Sequence, residues 1–294
     1  MEQEQLFKLK RAGEIAKQAK ELARSLAKPG VPLLEIANKI EDKIIELGGK
    51  PAFPTNLSIN EIAAHSTPSY NDETKASGLL KIDLGVQVDG YLSDTAFSID
   101  LENSDENKKL IQAAESALKA GIEKISVGMK LKEIGKVIEE SISQMGFKPI
   151  VNLSGHSIEQ YDLHSGITIP NYDNSQEAEI KKGTYAIEPF STSGAGRVRD
   201  GGPSGIYALE NEGNVRDSFA REVLNYIREE YQTLPFCSRW LVKKFGTRAL
   251  IALRRIEEAG IIHCYRQLIE KDRKPVAQAE HTVILTEKEK IVTT

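Results

Sequence analysis

Residues 30–51 and 128–149 are two copies of one sequence, and no other feature restricts the possible folds as much. Aligned without a gap, ten of the 22 positions are identical: Gly30 and Gly128, Leu33 and Leu131, Glu35-Ile36 and Glu133-Ile134, Ile40-Glu41 and Ile138-Glu139, Ile44 and Ile142, Gly48 and Gly146, Lys50-Pro51 and Lys148-Pro149. After a shift of two residues, Asn56-Leu57-Ser58 answers Asn152-Leu153-Ser154. Helical periodicity places one helix over residues 5–27, stopped by Pro29-Gly30, and a second from Leu33 to Leu47, stopped by Gly48-Gly49. Ser104-Asp105-Glu106 starts a third helix running to about Ile125, and a fourth covers Leu131–Met145. Two copies are too few for a solenoid, which needs about three repeats to bury its faces. The chain is therefore expected to form two related α+β halves, helices on one side and strands pooled into a shared sheet. A site supplied by both halves would lie at their junction.

The segment Leu79–Asp100, LLKIDLGVQVDGYLSDTAFSID, predicts a hairpin of Leu80–Val88 and Tyr91–Ile99. Asp89-Gly90 supplies the positive φ angles of a two-residue turn. If Val88 pairs with Tyr91, Gly85 lies opposite Asp94 and Asp83 opposite Ala96. Side chains alternate faces with a period of two, so Asp83 and Asp94 share a face as diagonal neighbours. Two carboxylates so placed need a cation or a shared proton, unless they are surface groups on a solvated sheet face. Three further donors favour the first reading: His156 in Ser154-Gly155-His156, Glu188 in Ala186-Ile187-Glu188-Pro189-Phe190, and Glu280 in Gln278-Ala279-Glu280-His281-Thr282. Each sits in or beside an apolar run, where an unpaired charge is costly.

The chain has 294 residues, 40% hydrophobic and 28% charged, with a net charge of −4, which suits a soluble globular protein with no obligatory DNA or acidic-membrane partner. No apolar run approaches the ~20 residues of a membrane span, and the charged start MEQEQLFKLKRAG is unlike a signal peptide. Cys237 and Cys264 are the only cysteines. They are expected as reduced thiols in a cytoplasmic protein.

Residues 207–262 break the repeat. Helices are expected over Asp217–Tyr231, from Pro235 through Phe236–Phe245, and over Arg248–Ala259, followed by the apolar run Ile261–Tyr265. This resembles a compact winged-helix-like subdomain inserted into a catalytic domain of residues 1–206 and 263–294. Arg239, Lys243, Lys244, Arg248, Arg254 and Arg255 make it locally basic. A solvated helical face accounts for these charges better than nucleic-acid contact, because no aromatic interleaving accompanies them. A strand over Ala277–Thr286 then carries Glu280.

Asp83, Asp94, His156, Glu188 and Glu280, in this order and these contexts, resemble the dinuclear metal site of the methionine aminopeptidases and their pita-bread-fold relatives. Phe53-Pro54-Thr55 with Ala63-Ala64-His65, the run Gly155–Glu159 leading to His164, and the insertion before the last strand are similar to the type II branch, in its short archaeal style. The resemblance extends over nearly the whole chain. It implies an α+β pita-bread (creatinase/aminopeptidase) fold whose two pseudo-symmetric halves share a curved antiparallel sheet.

The donor set is hard and oxygen-rich, suited to two divalent ions among Mn²⁺, Fe²⁺, Co²⁺ and Zn²⁺. The resemblance assigns Asp83 to one ion through both oxygens, Asp94 and Glu280 to bridging, and His156 with Glu188 to the other ion. It also makes Glu188 a proton shuttle, sets His164 against the substrate carbonyl or oxyanion, puts His65 near the scissile nitrogen, and places Phe53 and Tyr265 in a methionine pocket with Leu163 beside them. His281 follows a ligand on a strand and should face the other way. The implied activity is removal of the initiator methionine from nascent proteins when the second residue is small, by attack of a metal-activated hydroxide on the peptide carbonyl. A monomer, with ribosome contact through the basic insertion, is the accompanying expectation. Prolidase-like activity, creatine-type hydrolysis and non-catalytic RNA- or ribosome-binding relatives are the alternatives. The missing N-terminal domain weighs against the first, and the intact ligand set against the other two.

Overall fold

The two copies of the repeat fold alike down to single backbone hydrogen bonds. The computed structural model describes residues 2–294. Helix α1 (Gln3–Leu26) leads to α2 (Leu33–Glu46), and the second half repeats the pair as α3 (Asp105–Lys124) and α4 (Leu131–Gln144). Gly30 and Gly128 both adopt φ +83°, and their amides donate to Ala76 and Ile180 carbonyls at 2.9 Å. Leu33 and Leu131 likewise donate to Thr74 and Ala178, again at 2.9 Å. Nothing lies within 4 Å of a Cβ built on either glycine, so the left-handed backbone rather than crowding requires them.

The first half continues with β1 (Lys50–Ile59), β2 (Ile62–Ala64), β3 (Leu79–Val88) and β4 (Tyr91–Asp100). The hairpin β3–β4 has the expected register: Val88 opposite Tyr91, Gly85 opposite Asp94, Asp83 opposite Ala96. Asp89 and Gly90 take φ +52° and +80°, as a mirror-image two-residue turn demands. Helices α1 and α2 bury Ile15, Ile36, Ile40 and Ile44 against Leu57, Ile82, Leu84 and Val86. Each fully buried side chain contributes roughly 1.5–3 kcal/mol.

The second half adds β5 (Lys148–Pro149), β6 (Ser154–Ile158), β7 (Thr168–Pro170), β8 (Gly183–Ile187) and β9 (Phe190–Thr192). Its helices α3 and α4 bury Leu110, Ile134, Ile138 and Ile142 against Ile187 and Val283. After β10 (Val198–Leu209) come α5 (Ser218–Glu230), β11 (Phe236–Cys237), α6 (Ser238–Phe245) and α7 (Arg248–Glu258), which share a core of Val223, Ile227, Phe236, Leu241, Leu253 and Ile256. The chain closes with β12 (Ile262–Glu270), β13 (Val276–Gln278), β14 (His281–Leu285) and β15 (Lys290–Val292).

Three expectations need correction. The strands are antiparallel and curved as the pita-bread fold requires, but backbone hydrogen bonds divide them into four sheets rather than one: β1-β3-β4, β15-β14-β8-β6-β7, β13-β9-β5 and β11-β10-β12-β2. At the seam between halves, side-chain hydroxyls replace ladder bonds. Thr282 Oγ1 accepts from Asp94 N at 2.7 Å and donates to Asp94 O at 2.8 Å, while Ser98 Oγ exchanges bonds of 2.8 Å with both backbone groups of Gln278. The strand expected over Ala277–Thr286 is broken at Ala279-Glu280, because the Glu280 amide donates across the seam to Ala96 O at 2.9 Å. The helix expected over Phe236–Phe245 begins only at Ser238, since Phe236 and Cys237 pair with Tyr207 and Ile206 of β10.

Candidate metal centre

Five side chains from both halves converge on one cavity of about 250 Å³. Asp83 on β3 and Asp94 on β4 come from the first half; His156 on β6, Glu188 between β8 and β9, and Glu280 between β13 and β14 come from the second. Alternation along the hairpin puts both aspartates on the cavity face. The break after Gln278 releases Glu280 from the pleat, and the amide bond to Ala96 fixes where it points.

Asp94, His156 and Glu280 each offer a donor atom within 4.8 Å of the others, the only such group of three or more among the described residues. His156 Nε2 lies 3.4 Å from Glu188 Oε1 and 3.6 Å from Asp94 Oδ2. These separations exceed a normal N–H···O bond. They are close to the ~3.0–3.4 Å expected between two donors each ~2.1 Å from one ion. Asp83 Oδ1, Asp94 Oδ1 and Glu280 Oε1 are buried without a hydrogen-bond partner. Leaving such an oxygen unsatisfied costs about 1–3 kcal/mol or more, so the donor set fits a bound cation.

The electrostatics agree. Burial, then the repulsion of neighbouring carboxylates, pushes Asp94, Glu188 and Glu280 far above the usual carboxylate range, and burial pushes Asp83 up to about 7. Burial and the adjacent His164 lower His156 to about 3, leaving a neutral imidazole with a free lone pair. Positive charge from a bound divalent ion would invert this balance.

The remaining expected residues line the same cavity: Phe53, His65, Leu163, His164 and Tyr265. His65 has φ +56°, its Nδ1 is 3.2 Å from Arg266 O, and its ring meets Tyr265 edge-on at 5.2 Å. Desolvation lowers it to about 4. The His164 ring stands 4.4 Å from that of His156. His281 faces away, as expected, with Nδ1 3.0 Å from Thr294 Oγ1 and 3.5 Å from Lys20 Nζ.

Three residues of the centre carried no assignment from the sequence. Gln278, 1% exposed, directs Nε2 at Glu188 Oε2 and Glu280 Oε2, 3.5 Å from each. Asn56 and Asn152, equivalent in the repeat, both line the cavity and both bridge backbone: Asn56 accepts from Ser66 N and donates to Pro54 O, while Asn152 accepts from and donates to Val198 at 2.8 Å. Their shared position in the repeat was the available signal.

The basic side chains on the surface of the insertion have partners both inside it and on α2. Lys243 pairs with Asp42, Arg254 with Glu258 and Arg255 with Asp217, while Lys244 and Arg248 lie over the rings of Tyr226 and Phe219. Arg239 does not belong to that surface, being 5% exposed. A larger cavity of about 440 Å³ lies between α2 and the inserted helices, lined by Ile45, Tyr226, Tyr231 and Trp240.

The model of metallopeptidase family M24 matches residues 8–287 of the chain. A methionine aminopeptidase of Pyrococcus abyssi is 48% identical over 292 residues, covering 98% of each chain. One from Methanocaldococcus jannaschii is 45% identical over 297 residues, covering both completely. Among solved structures, a thermophilic Arx1 has a TM-score of 0.87 at 16% identity, covering 100% of this chain and 91% of that one. The methionine aminopeptidase of Thermotoga maritima has 0.72 at 22% identity, covering 100% and 98%. At those identities the structural likeness concerns the fold.

Proposed function

The chain belongs to metallopeptidase family M24 and is similar over its full length to archaeal methionine aminopeptidases, and from this we propose that it removes the initiator methionine from nascent cytoplasmic proteins whose second residue is small and uncharged. The observation that carries the reading is the convergence of Asp83, Asp94, His156, Glu188 and Glu280 on one cavity, with three unpartnered buried carboxylate oxygens among them.

Two divalent ions held by these five residues would supply Lewis acidity at the scissile carbonyl and a water of lowered pKa. The chain's own groups do the rest. Glu188, at the cavity wall and accepting from Asn171 Nδ2 on its backbone carbonyl at 3.2 Å, carries a proton to the departing amine. His164 donates toward the carbonyl oxygen where negative charge develops. His65, held through Nδ1 at Arg266 O, orients the scissile nitrogen. Phe53 and Tyr265 form an apolar, polarizable wall for the thioether, a contact of about 0.3–1.5 kcal/mol. With the catalytic domain we place residues 1–206 and 263–294, and with the inserted subdomain residues 207–262.

The test is methionine release from Met-Gly-Met and Met-Ala-Ser peptides by metal-stripped protein titrated with Mn²⁺, Co²⁺ or Fe²⁺, with Xaa-Pro and Met-Glu peptides as controls. Release confined to small second residues, abolished in Asp94→Ala, is expected. Cleavage only before proline would move the chain to the prolidase branch. Ribosome contact through the insertion is refuted if charge reversal at Lys243, Lys244, Arg254 and Arg255 leaves co-sedimentation unchanged.

A further inference from the structure

Glu41 and Arg239 are 5% exposed each and form an ion pair between α2 of the first half and α6 of the insertion. Every donor of the guanidinium is used: Nε to Pro68 O at 3.1 Å, Nη1 to Asn38 Oδ1 at 3.0 Å and Glu41 Oε2 at 2.6 Å, Nη2 to Glu41 Oε1 at 2.9 Å and Thr67 Oγ1 at 3.4 Å. Glu41 also accepts from Trp240 Nε1 at 2.8 Å and from Thr55 N at 3.1 Å. Thr67 Oγ1 in turn donates to Thr55 O at 2.8 Å.

Stability does not explain such a pair, since apolar residues of similar volume are often as good in its place. The ends of its bonds are more informative. They fall on Thr55, two residues after Phe53, and on Thr67-Pro68, just after His65. The pairing of β1 with β3 slips on both sides of Phe53, between Pro51 and Phe53 and between Phe53 and Asn56, so the ladder does not fix this stretch. Glu41 and Thr67 take the Thr55 backbone groups instead, and Arg239 takes Pro68.

We propose that Glu41 and Arg239 are positioning residues that set the cavity wall of Phe53 and the placement of His65, so that side-chain selection at the first substrate residue depends on the inserted helices gripping the first half. This rests on the reading of the cavity as a methionine site. Neither residue touches the substrate; both act through Thr55, Thr67 and Pro68.

The test uses the full-length metal-loaded protein and the variants Thr67→Val, Glu41→Gln and Arg239→Lys, with Leu241→Ala as a control that opens the core of the insertion while keeping every hydrogen-bonding group of the network. Two quantities are measured: the ratio of kcat/KM for Met-Ala-Ser to that for Leu-Ala-Ser, and amide hydrogen exchange over residues 53–56 and 65–68 in the metal-free protein. Misplacing the wall by about an ångström should lower the ratio on the order of tenfold, through KM, in the three network variants and not in Leu241→Ala. Exchange should quicken over both segments while the β3–β4 hairpin stays protected. An unchanged ratio, or an equal fall in Leu241→Ala, overturns the proposal. If the wild-type protein releases no methionine, the functional reading fails by itself; unchanged exchange in the variants then overturns the positioning role, and quickened exchange upholds it.

Discussion

The ring of Phe53 lies directly on Gly85: a Cβ added to that glycine would sit 2.3 Å from Phe53 Cε1. The two are partners across β1 and β3, and Gly85 also faces Asp94 across β3 and β4. One missing side chain therefore lets an aromatic wall close over the strand that carries an aspartate of the centre.

Gly85→Ala should displace Phe53 and raise KM for methionyl peptides, with a stability loss of about 1–3 kcal/mol from overpacking. Urea unfolding and steady-state kinetics measure both. Adding Phe53→Ala should recover part of the stability but not the KM, a non-additivity that a double-mutant cycle resolves.

Removing metal should make stability fall with rising pH. The carboxyl of Asp83 is pushed up to about 7 in the fold, against about 4 unfolded. Between these values the folded state binds more protons than the unfolded one, so this group lowers the unfolding free energy as pH rises from about 4 to 7, and Asp94, Glu188 and Glu280, also raised, act in the same direction. Thermal melts of EDTA-treated protein at pH 5 and pH 8 should show the loss, and Mn²⁺ should restore more stability at pH 8 than at pH 5. A flat profile would contradict the crowding of carboxylates.

Gln278→Leu should weaken divalent-ion binding on the order of 10- to 100-fold, as losing an outer-shell donor does. The side chain faces Glu188 and Glu280 and is buried, so the change is read as Mn²⁺ affinity by equilibrium dialysis, independently of peptide cleavage.

Burial pushes the Cys237 thiol up to about 12. Iodoacetamide at pH 8 should therefore leave it unmodified in the native protein and label it once guanidinium is added. Cys264, partly exposed on β12, supplies the internal comparison. Native labelling of Cys237 at an equal rate would show that β11 opens readily.

How far the sequence could be followed depended on how local the cause was. The turn at Asp89-Gly90 carries its own register, so the pairing of Gly85 with Asp94 was legible from two residues. The twin glycines and the helices after them were legible because each copy corroborates the other. Glu280 was placed on a strand because its neighbours alternate, and the break arises from an amide bond to Ala96, 184 positions away in sequence. Arg239 was counted with the surface lysines because its own helix says nothing of Glu41, 198 positions earlier. Gln278 has no motif at all; its importance appears only when Glu188 and Glu280 are brought to it.

The seam held by Thr282 and Ser98 has a consequence for how the molecule is held together. Candidate donors from the two halves face one another across it, with hydroxyl bridges in place of a continuous ladder. An ion held by donors from both sides would be a rivet between halves, and each half alone an incomplete chelator. Tightness of the ion and closure of the halves become one equilibrium seen from two ends. Anything that pried the halves apart would then loosen the metal, and depletion of metal would ease the halves apart.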